Sequence, residues 1–400
     1  MYAKALMAPG SHRGVVVAAT SGRVFAGIIA CRTNATALLR GGVTVLVLLL
    51  ASVAAGPAVA ATLPEERGDA LYHYYSGGGI DVQGPALLVR KNFAEKYSVS
   101  ASYYMDSISG ASIDVVTNAS AYNETRNEFG VGFDYLYGDT LMNISYTYSD
   151  ENDYEAKTLD VGLSHDFFGG MSTLAMGFSR GDDTVMRVDT SFEDSIDRFQ
   201  YRLGWTQILS PTFVAALSYE GFSEEGYLNN PYRSARVLGA SVQEIYPRTR
   251  TSNAIAIQVN KFWGDRSFVT RARYRYYTDT WGIGANNVEL IFSRRLNEKT
   301  EVELGGRFYT QTAANFYSDN FDQEYRYMAR DKELSDFTSI SVGGRVSYEL
   351  FRDRGKLAKG KVTLMFDRIH FDYDNFSDVR NGESYKFNAN VIQIFFSAWY

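Results

Sequence analysis

The sequence predicts an all-β chain that crosses a membrane: a transmembrane antiparallel up-and-down β-barrel of about sixteen strands, with fourteen as the alternative. Three observations carry this. Apolar residues alternate with small or polar ones through most of the 400-residue chain. Short Gly/Asp/Pro turns alternate with longer polar segments, as in barrels with short periplasmic turns and long external loops. The chain also ends on an alternating aromatic strand, Ser384 to Tyr400 (SYKFNANVIQIFFSAWY), with no tail after it.

Composition agrees. Mean hydropathy is -0.22, yet there are 29 tyrosines and 25 phenylalanines. A helical membrane protein needs several apolar runs of about 20 residues, and only Val43 to Ala60 approaches one. A barrel hides its membrane signal because every second residue of each strand faces lipid. A soluble all-β enzyme would instead need two packed sheets and long loops.

Met1 to Ala60 holds five basic residues (Lys4, Arg13, Arg23, Arg32, Arg40) and no acidic one. Arg40 precedes an apolar stretch that ends in Pro57-Ala58-Val59-Ala60-Ala61, so residues 1–60 read as a signal peptide with an overlong n-region. Lipid attachment at Cys31 is a rival, but Arg23 breaks its upstream segment. Cleavage removes Cys31, leaving no disulfide, thiolate nucleophile or cysteine-held metal. It also leaves 40 − 5 = 35 basic residues against 46 acidic, a net charge of -11, which speaks against nucleic-acid binding. Residues 61–68 then form a short periplasmic segment, and 69–400 the barrel.

In order, Asp69 to Ser76 is a first strand or a plug, and Gly77-Gly78-Gly79 turns it into Asp81 to Lys91. The clearest hairpin has Phe129, Val131, Phe133, Tyr135 and Tyr137 on one face, a Gly138-Asp139 turn, then Met142, Ile144, Tyr146 and Tyr148. The same rhythm continues through Leu159–Phe178, Phe199–Tyr219, Ile255–Tyr276, Val288–Phe308 and Ile340–Phe366. The longer polar segments are expected at Ser107 to Arg126, Asp150 to Ala156, Gly181 to Asp197, Ser223 to Arg250, Ala313 to Asp336 and Phe371 to Glu383. In the closing strand, Ile392, Ile394, Phe396, Ala398 and Tyr400 share one face, and Gln393, Phe395, Ser397 and Trp399 the other. Parity pairs this strand with the first near Tyr72. Phe396, Trp399 and Tyr400 are the expected assembly signal for the barrel-assembly machinery.

The run Tyr103-Tyr104-Met105-Asp106-Ser107-Ile108-Ser109-Gly110-Ala111-Ser112-Ile113-Asp114, with the aromatic ending, resembles an uncharacterised family of Gram-negative proteins known only as a domain of unknown function. The similarity spans nearly all the mature chain. It implies an outer-membrane barrel and supplies no catalytic residue. Family genes lie near a thioredoxin-like protein and a flavin-transferring maturation enzyme, which implies a redox setting.

The lumen is the place for chemistry. Arg271, Arg273 and Arg275 form an i, i+2, i+4 ladder on one face; Arg295, Arg307 and Arg345, with Glu289, Glu303 and Glu349, share that face on neighbouring strands. Arg202 belongs to an earlier hairpin with Glu220. The ladder could steer anions; alternatively these charges pair and brace the wall. His73 and His165 read as single wall residues. His370, Asp372 and Asp374 share a face that could move a proton or hold a divalent metal, or form a solvated loop base. The acidic loops (Ser149 to Asp153, Asp182-Asp183, Glu193-Asp194, Asp372 to Asp378) suit weak calcium binding or plain solvation, and Arg180-Gly181-Asp182 matches an adhesion tripeptide. The aromatic Ala313 to Asp336 segment could fold inward as a constriction or dock a partner. No hydrolase motif is present. No catalytic residue, metal or cofactor is expected. The function expected is a channel or transporter for small polar solutes in the outer-membrane bilayer. A closed scaffold barrel holding a periplasmic or surface protein partner, one of a redox system included, is the alternative; a barrel-embedded hydrolase is the third.

Overall fold

The computed structural model describes residues 61–110, 122–264 and 268–400. The signal-peptide expectation for 1–60, Cys31 included, lies outside the described residues. The strands are β1 (Arg67–Gly77), β2 (Ile80–Phe93), β3 (Tyr97–Gly110), β4 (Tyr122–Tyr137), β5 (Thr140–Asp150), β6 (Tyr154–Phe167), β7 (Ser172–Met186), β8 (Glu193–Ser210) and β9 (Phe213–Gly226). A small hairpin, β10 (Ser234–Val237) and β11 (Ala240–Gln243), follows. Then come β12 (Thr249–Trp263), β13 (Phe268–Asp279), β14 (Gly284–Arg295), β15 (Thr300–Gln311), β16 (Phe337–Arg354), β17 (Leu357–Ser377) and β18 (Ser384–Trp399).

All strands but β10 and β11 join neighbour to neighbour into one closed antiparallel barrel of sixteen, and β1 seals against β18. Closure matters because an unpaired edge in hydrocarbon leaves backbone N–H and C=O groups without partners. The seam registers Tyr72 with Ile394 and Arg67 with Trp399. Asp69 to Ser76 is therefore a strand and not a plug. It begins two residues earlier than expected.

Period two sets the two faces of the wall. Leu87, Val89, Phe129, Val131, Leu217, Ile255, Leu304, Val342, Leu364 and Ile394 all point outward and are exposed. Their inward neighbours are small or polar. Gly130 and Gly132 face Ser102 and Ser100 so closely that an added Cβ would lie 2.5 and 2.7 Å from the two hydroxyls.

The strands run further than the apolar pattern suggests. Toward the end away from the termini, the outward face changes from Phe366 to Arg368, His370 and Asp372, and from Leu159 to Lys157 and Glu155. On β7 it passes from Phe178 to Arg180 and Asp182. The wall therefore continues past its apolar band; on β17 the overhang is about 30 Å of strand. Much of Gly181 to Asp197, Ser223 to Arg250 and Phe371 to Glu383 is consequently strand, where loops were expected. Asp150 to Ala156 shrinks to a turn at residues 151–153. The sheet persists there because its inner face stays buried while its outer face turns polar, which erases the hydropathy alternation. In the Ser107 to Arg126 segment, β3 runs to Gly110 and β4 starts at Tyr122; residues 111–121 lie outside the described residues.

At this far end the barrel is packed. Tyr75, Val82, Ile108, Phe337, Ile369, Phe371, Tyr373, Phe376 and Val391 form part of an internal apolar cluster drawn from eight adjacent strands, β14 through β18 and β1 to β3. The Ala313 to Asp336 segment folds inward onto it, so that residues 328–335 are all buried.

Close packing in the wall makes one glycine irreplaceable. A Cβ on Gly84 would lie 1.8 Å from the Met105 carbonyl oxygen, where β2 and β3 lose direct register between Gln83 and Ala86. Backbone cannot move aside cheaply. Gly84→Val should lower barrel stability by roughly 1–3 kcal/mol or more, read as a lower urea midpoint for loss of heat-modifiable mobility in lipid vesicles.

Candidate functional site: the lumen

The expected lumen residues are where the alternation put them, on the inner face, but they are not equivalent. Arg202 pairs with Asp160, and Ser179 accepts a further hydrogen bond from it at 3.0 Å. Arg275 Nη2 meets Glu220 Oε2 at 3.2 Å, and Arg345 Nη2 meets Glu303 Oε2 at 2.7 Å. Glu303 also accepts from the Ser293 hydroxyl at 2.8 Å. Glu289 stands between Arg273 and Arg307 in the cross-strand register. Glu349 lies at the terminal end of β16 and takes both forks of Arg352, at 2.8 and 2.7 Å. Arg295, at the same end of β14, is exposed opposite Glu301. Much of the basic face is thus neutralised across strands, as the bracing reading has it. Arg271 and Arg273 are different. Arg271 donates to Asn260 Oδ1 at 3.2 Å, and no ion pair or hydrogen bond among the described residues involves the Arg273 side chain.

The far end holds buried charges, some of them (Glu151, Asp153, Asp183) already expected in the acidic loops and others (Glu124, Arg198, Glu224, Arg250) that sequence reading missed. Arg250 is paired with Asp279 (2.6 Å) under the Trp281 ring, 4.3 Å from its centroid. Arg198 bridges Asp183 and Glu224 beside Tyr154. The carboxylates of Glu124, Glu151 and Asp153 gather within 4.8 Å of one another, with Arg126 reaching Glu151 at 4.0 Å. Each set joins side chains from different strands, or from β4 and the β5–β6 turn, so no local spacing announces it. Apolar neighbours at i±2 flank Asp279 (Tyr277 and Trp281), but Arg250 lies between Arg248 and Ser252 and Asp153 between Glu151 and Glu155, so the sets share no sequence signal.

The inward segment is bound to the β9–β12 connection through its own buried network. Backbone bonds join Ile245 to Met328 in both directions, at 2.8 and 3.0 Å. Glu244 accepts from the Arg330 amide at 2.6 Å and from the Tyr246 hydroxyl at 2.7 Å. Arg233 pairs with Asp331; Arg330 pairs with Asp319 (2.7 Å) and donates to the Ser377 carbonyl at 3.0 Å. Burial, reinforced by Asp331 and opposed by Arg233, pushes the Glu244 carboxyl up to about 7. Burial likewise raises the nearby Glu333. The segment thus folds inward, the placement that the constriction reading requires.

Histidine expectations divide. His165 is a wall residue, its Nδ1 2.8 Å from the Thr140 hydroxyl. His73 faces the lumen, 2.7 Å from Asp106 and stacked on Tyr104. His370 faces outward with Asn388, and Asp372 with Lys386 at 2.6 Å. With His370 and Asp372 held by separate partners on β18, and the Asp374 amide bonded to the Asp336 carbonyl, the three do not form a proton-transfer or metal group. Arg180-Gly181-Asp182 is not an exposed loop tip; it lies within β7, where Arg180 pairs with Asp197 at 3.0 Å. At the terminal end, Phe396 points outward. Trp399 donates to Glu65 at 2.7 Å, and the Tyr400 hydroxyl to the Arg90 carbonyl at 2.8 Å.

A family match spans residues 117–362, more than half the chain. The protein belongs to the family described as protein of unknown function (DUF3570). As a DUF3570 protein it carries no activity by inheritance, and no curated protein matches it. Among solved structures it is similar to a bacterial polysaccharide outer membrane secretin at 7% identity, covering 84% of this chain and 100% of that one, with a TM-score of 0.48. It is also similar to OccK2 (OpdF) of Pseudomonas aeruginosa in complex with glucuronate, at 8% identity, 84% and 99% coverage and a TM-score of 0.42. The siderophore receptor PirA of Pseudomonas aeruginosa follows at 10% identity, with a TM-score of 0.41; the match covers 84% of this chain and 63% of the receptor. At these values the likeness assigns no function.

Two consequences are measurable. Asp279→Ala strands the Arg250 guanidinium in a buried site, which should cost roughly 3–5 kcal/mol and appear as a lower unfolding midpoint. The second concerns pH. The folded Glu244 carboxyl sits above its unfolded value of 4.5, so its stabilising share is full below about 4.5 and is lost as pH rises through about 7. Glu333 has the same sign. Amide-exchange protection of Ile245 and Met328, corrected for intrinsic rates, should fall between pH 6 and pH 8, and Glu244→Gln should flatten that fall.

Proposed function

We propose that this DUF3570 protein is an outer-membrane barrel, exported with cleavage of its N-terminal segment, that passes small polar solutes through a lumen narrowed by the 312–336 segment. One observation carries the reading: a closed wall of sixteen strands has an apolar exterior band around an interior lined with partly accessible ion pairs. Lipid requires the first face and water the second. Both termini and the short turns then lie in the periplasm, and the charged overhang stands outside the cell. The lumen groups serve passage rather than catalysis. Phe396, Trp399 and Tyr400 serve as the recognition signal for the barrel-assembly machinery.

A closed scaffold barrel is the second reading, favoured by the apolar cluster that lines half the far-end wall. Conductance separates the two. The purified full-length barrel in a planar bilayer should show discrete openings, and replacing residues 316–334 with a short Gly-Ser linker should raise single-channel conductance severalfold. A barrel that stays silent in both forms would defeat passage and leave the scaffold, for which co-purification with periplasmic or surface proteins is the measurement.

A further inference from the structure

We infer that the lumen holds an oxyanion-binding site on adjacent strands β12 and β13, built from Gln258, Asn260, Arg271 and Arg273. The inference rests on the barrel standing as proposed, with a hydrated lumen, and it names the solute class: small carboxylates and phosphates.

The register places Gln258 opposite Arg273 and Asn260 opposite Arg271. All four belong to the inner face and are partly accessible. In an antiparallel pair, opposed side chains start about 5 Å apart and diagonal ones roughly 7–8 Å apart, so four donor groups occupy one square of wall. Asn260 Oδ1 accepts from Arg271 Nε at 3.2 Å and from Gln258 Nε2 at 3.5 Å. These contacts orient the Asn260 amide and use only the Nε of Arg271. Arg273 keeps its whole guanidinium unengaged.

Charge makes the square stand out from the rest of the lumen. Arg202, Arg275 and Arg345 each have a carboxylate partner within the wall. Across β13 to β16, Glu289 stands between Arg273 and Arg307, and Glu303, which also acts electrostatically on Arg271, is held by Arg345; four cations less two anions leave +2. Beside this block the wall is small or apolar: Ile291 lies next to Arg271, and Gly305 next to Ile291. A planar fork with unused donors matches a carboxylate or phosphate with two parallel hydrogen bonds, and the neighbouring amides can supply further donors.

The test uses the full-length barrel in detergent, titrated with inorganic phosphate and followed by phosphorus NMR line width, with succinate as competitor. Saturable binding is expected, at least tenfold weaker in Arg273→Gln and in Arg271→Gln. Arg180→Gln, the same charge change on the outer wall, should leave it unaltered. Arg273→Lys keeps the charge without the fork; it should bind severalfold more weakly than the parent, and it serves if the glutamine variant does not fold. In a bilayer, phosphate should reduce the chloride current of the parent and not of Arg273→Lys. A conducting barrel that binds neither anion, or binds them equally well with Arg273 replaced, overturns the site while passage stands. A silent barrel that binds phosphate through Arg273 overturns passage and keeps the site.

Discussion

Closure of the backbone hydrogen-bond ladder is the constraint on which everything else in this protein depends. Each strand satisfies its N–H and C=O groups only through two neighbours, and the last pair to do so is β1 with β18. Once the ladder is closed, alternation leaves no choice of faces. Every even step meets lipid or bulk water, and every odd step meets the interior. The apolar band, the lumen charges and the packed far end all follow from that partition.

The interior is divided along its length. Toward the termini it is a wall of cross-strand ion pairs with partial access to water. Toward the far end it resembles a soluble protein core, with aromatic side chains over half the wall and guanidinium–carboxylate sets buried among them. A buried charge is tolerated only when its partner is held in place. The sets around Arg198, Arg250 and Arg126 are held in this way, by residues on different strands. The inward segment adds to this packing: its Met328 to Ser335 stretch buries four charged side chains, of which Asp331 is met by Arg233, Arg330 by Asp319 of the same segment, and Lys332 and Glu333 by each other.

Most of the wall was legible in the sequence. Phe129 to Tyr137 and Ile392 to Tyr400 display the two-residue period without ambiguity, whereas Asp69 to Ser76 stayed open between strand and plug, with parity favouring the strand. What stayed hidden is instructive. The overhang above Phe366 keeps its strand geometry while its outer face becomes Arg368, His370 and Asp372, so hydropathy no longer alternates in the expected sense. Of these, His370 and Asp372, with Asp374, read as a loop base or a candidate proton or metal group, although His370 and Asp372 bond separately to β18. The pairing of lumen charges depends on register between strands. Glu220 with Arg275 and Glu303 with Arg345 could therefore be suspected from their shared face but not assigned, and the isolation of Arg273 could not be foreseen.

The clasp at the terminal end bears on how such a wall comes into being. Trp399 and Glu65 touch across a sequence separation of 334 residues, and Tyr400 reaches back to Arg90. No contact of this kind can form until the final residue has arrived, and contacts of such long range come at the largest loop-closure entropy. Until then both outer strands are raw edges, able to pair with any passing strand. The seam therefore joins the strands that stand furthest apart in sequence, and closing it carries the largest loop-closure cost of any pairing in the wall.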